Sequence, residues 1–141
     1  MTPSRLVFLV DDSADYRFLV KQVFRMFLPQ HQVVFFADGA DLVDAMDSLA
    51  GSVEALPGVL ALDVDMPGLN GFQTLAHLKK HPLWESVPVV MMTNRDEGEY
   101  RRESNRLGAS AFVLKPMDLM SINSMMTQLC EYDGDFRQLT S

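Results

Sequence analysis

The segment Val59-Leu60-Ala61-Leu62-Asp63-Val64-Asp65-Met66-Pro67-Gly68 runs from an unbroken apolar stretch straight into acids and a turn. Apolar residues in succession, without alternation, suit a strand covered on both faces, which is the habit of parallel strands packed between helices. Working outward, the same kind of run recurs at Leu6 to Val10, Val33 to Phe36, Val89 to Met92 and Ala111 to Leu114. Segments with helical patterning lie between and after them, at about Asp15 to Leu28, Ala40 to Leu49, Phe72 to Lys80, Glu97 to Leu107 and Asp118 to Glu131. Ser13 can cap the first, Pro82 limits the third and Gly108 terminates the fourth. Strand alternating with helix in this way predicts an α/β fold, an open parallel sheet with helices on both faces. Such sheets bind ligands at the carboxyl ends of their strands. Asp11 and Asp12 follow the first run, Asp63 the third, Thr93 the fourth and Lys115 the fifth, so polar groups from four strands are expected along one edge.

The 141 residues suffice for one domain with its own core and are too few for two of ordinary size. Residues 1–131 are expected to form it, with Tyr132 to Ser141 as a short polar tail and no output domain. Gly51 to Gly58 is the soft spot inside the domain. No apolar run approaches the roughly 18 residues that cross a bilayer, and the first residues lack the layout of a secretory signal, so a cytoplasmic protein without membrane partners is expected. A formal charge of −7 disfavours direct nucleic-acid binding. Cys130 stands alone, which excludes an internal disulfide. His31, His77 and His81 show no ligand spacing and read as surface residues.

Three carboxylates held together at Asp11, Asp12 and Asp63 would repel one another and raise their pKa values unless a cation neutralised them. Hard oxygen donors suit Mg2+, which takes one or two protein carboxylates and leaves room for a phosphoryl oxygen. Lys115 adds a compact positive charge and Thr93 a hydroxyl donor. In that setting an aspartate can act as nucleophile and form an acyl phosphate, and Asp63 is the best placed to do so.

At this point the pattern resembles the receiver domain of two-component signalling, specifically the single-domain, chemotaxis type. The resemblance is carried by Val10-Asp11-Asp12-Ser13, by Leu62-Asp63-Val64-Asp65-Met66-Pro67-Gly68 leading to Gly71, by Met92-Thr93, and by Phe112-Val113-Leu114-Lys115-Pro116. It implies a flavodoxin-like (βα)5 sheet of order 2-1-3-4-5, with Asp63 as phosphoacceptor. It further implies Mg2+ held by Asp12, Asp63 and the Asp65 backbone carbonyl, with Asp11 acting through water. Lys115 would pair with the phosphoryl group, and the Lys115-Pro116 bond is expected to be cis. Thr93 and Phe112 take the switch positions, with Phe112 reporting by packing because it lacks a hydroxyl.

The implied partners are a histidine kinase or histidine phosphotransfer protein and an unknown downstream protein, reached through the fourth helix, fifth strand and fifth helix. A phosphorylation-dependent homodimer is the other route. Met117, Met120, Met125 and Met126 stand in an apolar band that serves equally as core or as interface. The crowded charges from Arg95 to Arg106 leave the fourth helix few apolar anchors. Asp65 and Asn94 are departures that leave phosphoryl lifetime open. Two alternatives stand beside this reading. One is a haloacid-dehalogenase-like phosphatase, which Asp63-Val64-Asp65, Thr93-Asn94 and Lys115 also resemble but which puts its nucleophile on the first strand. The other is a degenerate receiver that binds partners without phosphorylation.

Overall fold

A computed structural model describes residues 3–48, 56–95 and 97–131. Strand and helix alternate throughout: β1 (Leu6–Val10), α1 (Ala14–Phe27), β2 (Gln32–Phe36), α2 (Gly39–Ser48), β3 (Val59–Asp63), α3 (Gly71–Lys80), β4 (Val89–Thr93), α4 (Gly98–Arg106), β5 (Ala111–Leu114) and α5 (Leu119–Cys130). All pairings are parallel, and the sheet order is β2-β1-β3-β4-β5.

The continuous apolar runs conceal a period of two. Val7 and Leu9 of β1, Val59 and Ala61 of β3, and Val90 and Met92 of β4 point to one side, where α1 and α5 supply Val20, Val23, Ile122, Met126 and Leu129. Phe8, Val10, Leu60, Leu62, Val89 and Met91 point to the other, against Leu42 and Met46 of α2, Leu75 and Leu78 of α3, and Trp84. Every residue of β3 and β4 is buried, whereas the edge strands β2 and β5 are only partly covered. Because successive side chains alternate between faces, two helical layers demand an apolar residue at every position of a central strand.

The helices begin where local chemistry starts them. The Ser13 hydroxyl accepts from the Tyr16 N–H at 3.1 Å, starting α1. Asn70 and Gln73 close a reciprocal capping box on α3. Gly68, at φ +71°, takes the left-handed turn between β3 and α3 that a Cβ would strain. α4 differs: its N-cap, Glu97, makes no side-chain cap bond, and Ser104 is its one fully buried residue.

Several expectations are corrected. Among the described residues there is no cis peptide bond, so Lys115-Pro116 is trans. His31 is buried rather than superficial, because its Nδ1 accepts the Arg5 backbone N–H at 2.9 Å beneath the sheet edge. The methionines of the fifth helix and its lead-in divide: Met125 and Met126 are core, while Met117 and Met120 are exposed by 59% and 63%. Leu49, most of the Gly51 to Gly58 loop, Asp96 and the 132–141 tail fall outside the described residues. No helix among the described residues is long and apolar enough to cross a membrane.

Candidate functional site

The sheet ladder carries on past the last apolar residues of β1, β3 and β5, and this sets the site. Asp11 donates its N–H to Phe36 O at 3.1 Å, Val64 to Met92 O at 2.9 Å and Lys115 to Thr93 O at 2.8 Å. Asp63 and Thr93 are themselves the final residues of β3 and β4. Acids, hydroxyl and ammonium thus meet at one carboxyl edge with their backbones in register. Carboxylate oxygens of Asp11, Asp12 and Asp63 all lie within 4.8 Å of one another.

Asp11 is fully buried and doubly engaged. Its Oδ1 accepts the Ser13 N–H at 2.9 Å, and its Oδ2 lies 2.6 Å from Lys115 Nζ. That Oδ2 accepts no aligned hydrogen bond, so the ion pair is what offsets its burial. The same ammonium stands 3.9 Å from Asp63 Oδ2 and 4.2 Å from the centre of the Tyr16 ring. Lys115 is therefore gripped from three sides, with a cation–π contact forming the floor. Asp63, 4% exposed, receives the Asp65 N–H on Oδ1 at 3.3 Å. Burial, followed by the Asp11 carboxylate, pushes its carboxyl from 3.8 up to about 7, against the pull of Lys115 and the Asp65 N–H. Negative charge at this edge is thus incompletely neutralised by the chain itself. A cavity of about 360 Å³, lined by Asp12, Asp63, Asp65, Asn94, Lys115 and Tyr16 among others, opens onto it.

Donors here suit a hard divalent cation: carboxylates from two loops, one of them exposed at Asp12, beside a buried carboxyl that resists ionising alone. The arrangement also holds a nucleophilic oxygen, a fixed ammonium and a hydroxyl around one open space, which is what transfer of a phosphoryl group onto a carboxylate requires.

All the strand-end residues singled out in the sequence converge on this edge, but Thr93 is already occupied. Its hydroxyl donates to Asp65 Oδ2 at 3.1 Å and accepts the Arg95 N–H at 3.1 Å. The other Asp65 oxygen, Oδ1, accepts the Tyr100 hydroxyl at 3.1 Å. Phe112 lies apart from the carboxylates, half-buried on the α4 side, with the Arg101 guanidinium 4.9 Å above its ring.

Sequence reasoning missed Tyr16 and Tyr100. Tyr16 carried a usable signal: it falls in the first turn of a Ser13-capped helix that begins at the acidic pair, so its ring must return toward the strand end. Its buried hydroxyl finds no hydrogen-bond partner among the described residues. Tyr100, amid the charges of α4, carried none.

Known proteins resemble the chain in sequence and fold. Residues 7–127 match the sequence profile of the response regulator receiver domain. Response regulator PleD of Caulobacter vibrioides is 33% identical over 90 residues, 64% of this chain, and the matched part spans only 20% of PleD. Protein PilH of Pseudomonas aeruginosa is 32% identical over 100 residues, 68% of this chain and 78% of PilH. Chemotaxis protein CheY4 of Vibrio cholerae, 22% identical, superposes with a TM-score of 0.74 over 89% of this chain and 98% of that one, a likeness of fold.

Proposed function

The chain belongs to the response regulator receiver domain family, and from that premise we propose that it is a phosphorylation switch whose phosphoacceptor is Asp63. The observation that carries this reading is the position of one ammonium: Lys115 lies 2.6 Å from Asp11 and 3.9 Å from a buried, strand-end Asp63. The donor is a phosphohistidine of a histidine kinase or phosphotransfer protein in the cytoplasm. An Asp63 carboxylate oxygen forms the new bond to phosphorus as the phosphorus–nitrogen bond of the donor breaks, and the departing imidazole takes up a proton. Lys115 shares its charge between Asp11 and the incoming phosphoryl oxygens, so it needs little movement to act.

Asp12, Asp63 and the Asp65 backbone carbonyl would hold Mg2+, with Asp11 reaching it through water. When bound, the ion supplies charge neutralisation to the phosphoryl oxygens. Asp11 suits the outer role because Ser13 and Lys115 already engage its two oxygens. The reverse reaction is attack of water on phosphorus, which returns free Asp63 and inorganic phosphate. The chain's chemistry is confined to accepting this phosphoryl group and releasing it.

Output leaves by α4, β5 and α5 toward a downstream protein or a second copy. Exposed Met117 and Met120 and the partly covered Phe112 supply the apolar surface for that contact. Of the alternatives, the phosphatase lapses with the family assignment, and Asp63 stands on the third strand rather than the first. Incubation with acetyl phosphate and Mg2+, followed by intact mass, tests the reading. Wild type is expected to gain one phosphoryl group and Asp63→Asn none. An unmodified wild type would instead favour a receiver that works without phosphorylation.

A further inference from the structure

We propose that the Asp65 side chain is a latch, withholding Thr93 from the phosphoryl position and tying α4 to the site through Tyr100. This rests on Asp63 being the phosphoacceptor. Each Asp65 oxygen accepts one hydroxyl, Thr93 on Oδ2 and Tyr100 on Oδ1, both at 3.1 Å. A threonine hydroxyl has a single proton. It donates to Asp65 or to a phosphoryl oxygen on Asp63, never to both, so phosphorylation must take this bond from Asp65.

Charge works in the same direction. The phosphoryl group brings about two negative charges next to a loop whose Asp65 N–H already binds Asp63 Oδ1. Asp65, deprived of one donor and repelled, turns outward and gives up Tyr100. Other side-chain contacts at that end of α4 include the exposed Arg95–Glu97 ion pair at 3.9 Å and the Arg101 guanidinium over the Phe112 ring, and neither reaches Asp63. The α4 N-cap side chain makes no capping hydrogen bond, Ser104 is the helix's only fully buried residue, and the Tyr100 ring touches Phe72 edge-on at 5.4 Å between centres. A cavity of about 350 Å³ lined by Asp65, Phe72 and Tyr100 leaves the ring room to move. Tyr100 thereby supplies the hydroxyl report that Phe112 cannot make.

Amide hydrogen exchange of residues 98–106 in the unphosphorylated protein reads the tie. Tyr100→Phe keeps the ring and removes the bond, and Asp65→Ala removes both bonds. Each is expected to speed exchange in α4 by roughly two- to tenfold, the ratio a net hydrogen bond is worth, and the double variant should exceed Asp65→Ala by nothing. Phosphoryl uptake from acetyl phosphate with Mg2+ reads the competition: Asp65→Ala should accelerate it by a similar factor in wild type and by clearly less in a Thr93→Ala background, where only the loss of charge repulsion remains. Wild-type exchange in both single variants overturns the latch even if Asp63 is phosphorylated. Equal acceleration with and without Thr93 overturns the competition. A wild type that gains no phosphoryl group fails the phosphoacceptor reading instead, while the exchange result still decides whether Asp65 holds α4.

Discussion

Asp63 concentrates the electrostatic tension of the site. Its carboxyl is pushed from 3.8 up to about 7 in the fold, by burial first and then by Asp11. Between those values the folded chain holds a proton that the unfolded chain releases, so this group makes stability fall as pH rises from about 4 to about 7. Above that range the ionised carboxylate is a constant cost. The stability of wild type relative to Asp63→Asn, from denaturant midpoints measured across pH without divalent cations, should show this decline, with Asp63→Asn the more stable protein at pH 8. A wild type that gained stability relative to Asp63→Asn over the same interval would contradict the charge arrangement. At this scale the sequence was legible wherever chemistry coincided with a strand end, as for Asp11, Asp12, Asp63, Thr93 and Lys115. It was mute on the engagement of the Asp65 side chain, because its two partners come from 28 and 35 residues away. The bond before Pro116 was expected cis by resemblance and is trans.

Among the elements, the turn from β3 into α3 carries the most constraint. A Cβ at Gly71 would lie 2.3 Å from the Asp63 carbonyl oxygen and 2.7 Å from Val64 Cα, both backbone atoms that no rotamer change can move. Gly71→Ala must therefore displace the phosphoacceptor strand end or α3. It is expected to cost about 1–3 kcal/mol in urea unfolding and to slow phosphoryl uptake. Gly58→Ala, whose Cβ would have Arg5 side-chain atoms as its nearest neighbours at 3.0 to 3.2 Å, asks a side chain rather than the backbone to shift and should cost less than Gly71→Ala. Equal costs would refute this reading of the turn. Strand positions were readable because burial on both faces writes an unbroken apolar run. Their ends were misjudged by one residue at Asp63 and Thr93, since pattern reading stops at the last apolar side chain while the hydrogen-bond ladder does not. The division of the α5 methionines into core and surface was not readable, because an apolar band wider than one stripe does not say which part the sheet covers.

For the molecule as a whole, the sequence pattern dictates a parallel sheet between helices, but not the order of its strands. The order 2-1-3-4-5 came from resemblance and is the order found. The formal charge of −7 is common to the folded and unfolded chain, but only the folded state gathers three carboxylates within 4.8 Å and so would be the better cation ligand. Mg2+ at a hundredfold excess over its Kd should accordingly add about 2.7 kcal/mol to unfolding free energy, seen as a raised Tm. Asp12→Asn should lose most of that gain, and an equal gain in the variant would move the ion elsewhere. The phosphorylation switch proposed for the chain depends on an acyl phosphate at one carboxylate. Borohydride reduction of the phosphorylated protein, followed by peptide mass analysis, reads this directly, since reduction of an aspartyl phosphate leaves homoserine. The expected result is homoserine at position 63 alone. Homoserine at position 11 or 12, or a phosphoryl group that survives on a serine, threonine or histidine, would contradict it.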